Sequence, residues 1–285
     1  MTVDRRVQYE ALLTDLCTEA ADLDALLGEL APEQWRIDTQ SRGWTIAHQI
    51  SHLEATEQLM HAAITDEPLF RQRVPTTRIK PEISHRELDD PQLGCIRWAR
   101  WRRSRRALLD EFRNAAPDDR MPWVGPSMSM TSAATARIME IWAHGEDIYA
   151  AVGARRAATP RLRHIAHLSV AARDFSFINR RLAPPTEPFR VEITGPDGVV
   201  WTWGPQDAPQ RVTGSAYDFA LLATRRLHRS DADVAATGRD AVRWLKTIQA
   251  FAGAPGPRRR PEGAARHRTE LSPGASSTDA VGNTS

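Results

Sequence analysis

"GWTIAHQISHLEATE", residues 43–57, sets up a helix that begins near Thr45 and carries His48 and His52 on one face. Its apolar stripe, Ile46, Ile50, Leu53, Met60 and Ile64, continues at helical spacing to about Thr65. Ninety residues on, "RIMEIWAHGED", 137–147, puts Glu140 and His144 four apart on a second helix. Residues four apart rise about 6 Å and stand one above the other on one face. A divalent metal with an open coordination position needs about three protein ligands, and His, His and Glu is a known catalytic set for zinc. Helical bundles assemble such sites from facing helices. The same spacings are also common on surface helices, where a His/Glu pair adds only a weak mutual attraction. The segment 48–52 lacks the glutamate of an H-E-x-x-H zinc helix. Spacing by itself leaves both readings open.

Working outward, residues 7–30 carry Leu12, Leu16, Ala20, Leu23 and Leu27 at helical spacing, and a third helix is expected over 93–115. A fourth is expected after Thr131 as its N-cap, running to about Val152, with Gly153 as its stop. The stretch 68–91 reads as a polar, proline-containing connection outside the core. These four helices predict a bundle. The second half differs. After a helical stretch from Leu162, "PFRVEITGPDGVVWTWG", 188–204, alternates apolar and polar residues on both sides of a turn and predicts a hairpin. Helices are expected over 213–228 and 238–252. The expected organisation is α+β: a bundle over 1–155, an α/β domain over 156–254, and a disordered tail over 255–285, rich in Pro, Gly, Ser and charge.

The bulk composition narrows the function classes. With 41% hydrophobic and 26% charged residues and a net charge of +2, the chain reads as soluble and globular. No apolar run approaches the ~20 residues of a membrane span, and "MTVDRRVQYE" lacks a signal-peptide core, so a cytoplasmic location is expected. Cys17 and Cys95 form no disulfide framework and are expected to be small apolar fillers. "RWARWRRSRR", 97–106, could be imagined stacking bases on Trp and pairing phosphates with Arg. A helix with its tryptophans inward and arginines outward accounts for it better, and no nucleic-acid or membrane partner is expected.

"GWTIAHQISHL" and "RIMEIWAHGEDIYAAVG" resemble the two signature segments of the DinB-like, mycothiol-dependent maleylpyruvate isomerase superfamily. "MPWVGPSMSMTSAATARIMEIWAHGEDI" is similar to an actinobacterial metal-binding branch of it. "VEITGPDGVVWTWG", "GSAYDFALLATRR" and "AVRWLKTIQAFAG" resemble the α/β domain that accompanies the bundle. The likeness covers about residues 5–255. It implies a DinB-like four-helix bundle whose His52, Glu140 and His144 hold a divalent metal, typically zinc, with mycothiol as a co-substrate. It also implies an arginine directed at the metal cleft from the second domain, the position that Arg226 matches best; a surface charge, or a pair with an acid such as Asp218, is the alternative. His48 lies outside the pattern and is expected to meet solvent or a group behind the ligands, with approach to the metal as the alternative. Asp147 could orient an imidazole or face water.

The activity implied is a metal-dependent, thiol-using isomerase or S-transferase acting on a small electrophilic metabolite. A thiol-independent hydrolase, lyase or cyclase, and a metal-binding protein without turnover, are the alternatives. The ligand set also suits nickel, iron or manganese, and either a monomer or a homodimer is compatible.

Overall fold

The computed structural model describes residues 2–77, 81–254, 259 and 261. Four long helices, α1 (Thr2–Gly28), α2 (Ile46–Thr65), α5 (Leu93–Asn114) and α6 (Met130–Ala151), form the N-terminal bundle. Helix α1 packs on α5 and α6, and α2 packs on the same two, which closes a four-membered ring. Its centre is filled by fully buried Leu23, Ile46, Ile50, Leu53, Trp101, Phe112 and Ile138. The expected bundle is therefore present. The start of α6 is set by Ser129 rather than Thr131: the Ser129 hydroxyl accepts from the Ser132 N–H at 3.1 Å. Thr131 instead donates to the Pro117 carbonyl at 3.0 Å. Gly153 ends the helix with φ +70°, a conformation that side chains with a Cβ resist.

Two expectations are corrected, for the connection 68–91 and for the cysteines. The connection 68–91 contains helices α3 (Glu67–Thr77) and α4 (His85–Leu88), and Phe70 is buried against the bundle, its ring stacked on Trp123 at 6.1 Å. A single aromatic in a polar stretch gives no periodicity, so the segment looks like a loop. Residues 120–129 form a small hairpin, β1 (Arg120–Trp123) with β2 (Gly125–Ser129). Cys95 is exposed and Cys17 half-buried, so neither is a core filler. On α5 the tryptophans do turn inward: Trp101 is buried with its indole N–H on Glu57 at 3.1 Å, and Trp98 donates to Asp24 at 2.7 Å.

The C-terminal region is a four-stranded sheet with helices packed on it. Helices α7 (Leu162–Ala171) and α8 (Arg173–Ile178) precede strands β3 (Phe189–Thr194), β4 (Val200–Trp203) and β5 (Gln210–Ser215). Then come α9 (Ala216–Ala223), β6 (Val234–Thr237) and α10 (Arg239–Thr247). The strand order is β4-β3-β5-β6, with only the β3–β5 pair parallel. The hairpin read from 188–204 is present. The helix expected over 213–228 is shorter, because 210–215 is the parallel strand β5, and β6 gave no four-residue signal long enough to read.

Apolar packing divides into two clusters, one inside the bundle and one between the sheet and its helices. Helix α6 serves both. Ala134, Ile138 and Ile141 face the bundle, whereas Met139, Trp142 and Ala143 belong to the second cluster. Among the described residues no helix is long and apolar enough to cross a membrane. Apart from residues 259 and 261, the tail expected from residue 255 lies outside the described residues.

Candidate metal centre

Helix α2 supplies His52 and helix α6 supplies Glu140 and His144. Their ligand-capable atoms all lie within 4.8 Å of one another. The Glu140 Oε2 stands 3.3 Å from His144 Nε2 and 3.8 Å from His52 Nε2. Ligands held about 2.0–2.2 Å from a tetrahedral zinc are separated by about 3.4 Å, and the two distances from Glu140 to the imidazoles are close to that spacing. Side-chain exposures of 20% for His52, 23% for Glu140 and 13% for His144 leave the cluster in reach of solvent.

The polar groups behind His144 determine which nitrogen it presents. Gln49 Oε1 lies 2.5 Å from His144 Nδ1. The Gln49 amide can be oriented in only one way, since its Nε2 donates to Thr39 Oγ1 at 2.8 Å and to Asp147 Oδ2 at 3.3 Å. The carbonyl end therefore faces His144 and accepts its Nδ1–H. That assignment leaves a lone pair on Nε2, 3.3 Å from a carboxylate. Two electron-rich atoms at that distance repel unless a proton or metal ion lies between them, and this is the form in which imidazole binds metals. Burial pushes the His144 pKa down to about 4 against the attraction of Glu140, so the ring is neutral at pH 7. Burial acts to raise Glu140, but the two imidazoles beside it, His144 and His52, outweigh it and hold the carboxyl well below its usual range.

Asp147 is buried beneath this layer and accepts from Ser41 Oγ at 3.0 Å and from Arg226 Nη2 at 2.8 Å, besides Gln49. Of the two expectations for Asp147, facing water is excluded; it reaches the imidazole through Gln49 and not directly. Arg226 extends from just beyond α9 in the C-terminal domain and forms its ion pair with Asp147, whereas Asp218 accepts from the Asp233 N–H. His48 is three residues into α2, where its Nδ1 accepts from the Thr45 N–H at 3.2 Å. It is a helix-start residue, 4% exposed, and not one of the three clustered side chains.

Trp44 completes the surroundings. Its ring stacks on His144 at 6.1 Å between centroids and meets His52 edge-on at 5.2 Å. The tight loop before α2 delivers it: Thr39 N–H donates to the Trp44 carbonyl at 2.7 Å and Trp44 N–H to the Ser41 carbonyl at 2.9 Å. Gly43, at φ +74°, permits that reversal. Gln49, Trp44, Thr39 and Ser41 escape a sequence reading. Gln49 does sit three residues before His52 on a neighbouring face, but a lone glutamine has no motif that marks it.

Comparisons with known proteins bear on the family and the fold. Residues 16–149 match the family described as the mycothiol maleylpyruvate isomerase N-terminal domain. Residues 185–237, which span the four strands of the C-terminal sheet, match a family described as wyosine base formation. An uncharacterised protein of Mycobacterium tuberculosis, found in strains CDC 1551 / Oshkosh and ATCC 25618 / H37Rv, is 48% identical over 251 residues. The alignment spans 86% of this chain and 96% of the relative. Two crystal structures of the mycothiol-dependent maleylpyruvate isomerase, one a histidine-to-alanine mutant, superpose with a TM-score of 0.50 at 18% identity. They cover 80% of this chain and 92% of theirs. With its paired signature segments, its bundle and sheet, and a relative at this identity over nearly its whole length, the chain belongs to the DinB-like, mycothiol-dependent maleylpyruvate isomerase superfamily.

Proposed function

We propose that this protein is a divalent-metal-dependent enzyme of the thiol-using kind, an isomerase or S-transferase acting on a small electrophilic metabolite, with His52, Glu140 and His144 as the metal ligands. The observation that carries the reading is the Gln49 contact to His144 Nδ1, which turns an unprotonated Nε2 toward the Glu140 carboxylate. Coordination chemistry, rather than a surface ion pair, accounts for that choice of tautomer. Zinc is the metal best suited to two imidazoles and one carboxylate, and when bound it would favour the thiolate form of a thiol such as that of mycothiol.

The chain's own groups would then act around the bound thiol. Glu140 stays ionised and His144 neutral, so neither competes for the proton a thiol must lose. That proton leaves to solvent through the partly exposed side of the cluster. Trp44 covers the two imidazoles and keeps water from that flank. Arg226 brings positive charge from the other domain and favours anionic electrophiles such as carboxylic acids; in this reading it acts at the centre while its Nη2 anchors Asp147.

The test is the metal content of purified protein, followed by calorimetric titration with mycothiol. We expect close to one divalent ion per chain, lost in H52A and H144A with the helices intact, and thiol binding that disappears with the metal. Full metal content in both variants overturns the ligand assignment. A metal-loaded protein that does not bind mycothiol overturns the thiol reading and leaves a thiol-independent metalloenzyme or a metal-binding protein.

A further inference from the structure

The two helices that bear the three ligand candidates are not each other's main packing partners. Helix α2 lies chiefly on α5 and helix α6 chiefly on α1, with a lesser contact between α2 and α6. Apolar packing is non-directional, so it does not by itself fix how far one helix slides along another. A metal site needs that distance fixed, because its ligand distances hold to within about 0.2 Å.

Polar side chains cross between α2 and α6 on both sides of the cluster. As α2 advances from Gln49 through His52 to Thr56 and Glu57, its partners on α6 step back from Asp147 and His144 through Glu140 to Arg137. The ligand candidates are thus the middle rung of three. In the rung beyond them, Arg137 Nη1 donates to Thr56 Oγ1 at 3.0 Å, and Arg137 Nη2 lies 3.6 Å from Glu57 Oε1. The Thr56 hydroxyl in turn donates to the His52 carbonyl at 2.9 Å. Arg137 is therefore one hydroxyl away from the backbone of His52, and it stands three residues before Glu140 on its own helix.

As a source of stability alone, this rung is poorly made. The Arg137 and Glu57 side chains are 2% and 1% exposed, and among the described residues Glu57 Oε2, Arg137 Nε and Arg137 Nη2 have no hydrogen-bond partner. Two charges taken out of water with so incomplete a set of bonds stabilise a core no better than apolar side chains of similar volume. What the pair adds is direction. A guanidinium is a rigid planar fork, and here its two terminal nitrogens address Thr56 and Glu57, adjacent residues of the facing helix. We propose that Arg137, with Thr56 and Glu57, is a positioning group that holds α2 and α6 in the register at which His52, Glu140 and His144 meet one metal ion. The inference rests on the ligand assignment made above and extends it to residues that touch no metal.

The test reads three quantities on the full-length protein: zinc affinity by competition with a chelating dye, the visible spectrum of the cobalt-loaded form, and stability by chemical denaturation. The variants are T56V, T56S, R137M and E57L/R137M. The double variant exchanges the rung for apolar packing and so separates stability from ligand placement. We expect E57L/R137M to regain stability that R137M loses, yet to bind zinc at least about tenfold more weakly than wild type and to show a shifted cobalt spectrum. T56V should weaken zinc by a similar factor, and T56S, which keeps the hydroxyl, should bind as wild type does. Where the double variant does not fold, T56V and T56S decide alone. Wild-type zinc affinity with an unchanged cobalt spectrum in T56V or in folded E57L/R137M overturns the proposal. So does an equal loss in T56V and T56S, which would assign the effect to packing and not to the hydroxyl. Full zinc content in H52A and H144A is a separate result, which removes the ligand assignment and this inference with it.

Discussion

At the scale of single residues, the centre depends less on its three ligand candidates than on the amide that orients one of them. Gln49 is buried, and its two donors are engaged by Thr39 and Asp147, which leaves its carbonyl for His144. A Q49L variant should keep the fold and lose metal affinity by about 10- to 100-fold, the usual cost of removing a group that positions a ligand; competition with a chelating dye measures it, and unchanged affinity would count against the tautomer argument. Acid should weaken the metal-free protein through the same residue. Burial pushes His144 from 6.5 down to about 4, so the unfolded chain takes up the proton first as pH falls. The contribution of His144 to stability is therefore whole above about 6.5 and is lost between there and about 4. Glu140, held below 4.5, loses its contribution in the same direction at lower pH. Thermal melts of the metal-stripped protein should fall across that window, and H144A should flatten the fall; an equal slope in both proteins would refute the assignment.

At the scale of elements, α2, α5 and α6 meet over a buried ion pair one turn from the candidate ligands. Arg137 Nη2 lies 3.6 Å from Glu57 Oε1, with side chains 2% and 1% exposed. Arg137 Nη1 donates to Thr56 at 3.0 Å, but Glu57 Oε2 and two of the Arg137 nitrogens have no hydrogen-bond partner. Desolvation pushes the Glu57 carboxyl up to about 7, against the pull of Arg137 and Arg105. Removing one partner leaves the other charge uncompensated, so R137M should lose about 3–5 kcal/mol in chemical denaturation, whereas E57L/R137M should recover at least half of it. A double variant no better than the single one would mean that the ion pair itself, and not the stranded charge, supplies the stability. Neither residue stands out in the sequence, where both occupy charged positions of ordinary amphipathic helices. Their pairing exists only because Trp101 and the surrounding aliphatics remove water from both.

At the scale of the whole molecule, α6 is shared property. One of its faces closes the bundle, another packs Met139, Trp142 and Ala143 into the sheet's apolar cluster, and its Asp147 is held by Arg226 from beyond α9. Deeper along the boundary, Glu19 of α1 pairs with Arg156 and Arg161, and Tyr217 of α9 donates to Glu146 at 2.6 Å. A fragment of residues 1–155 should therefore expose the Trp142 face and self-associate, as gel filtration and binding of a hydrophobic dye would register; a stable monomeric fragment would show that the bundle is complete alone. The sequence by itself determined the bundle, the hairpin at 188–204 and the two helix faces that bear His52, Glu140 and His144, because each follows from local periodicity of 3.6 or 2 residues. It did not determine β5 and β6, which are short and whose edges are defined by pairing with distant strands. Nor did it determine the tautomer of His144 or the partner of Arg226. Those depend on which polar groups are brought together out of water across 79 to 106 residues of chain, a distance over which no sequence pattern acts and only packing of the finished molecule decides.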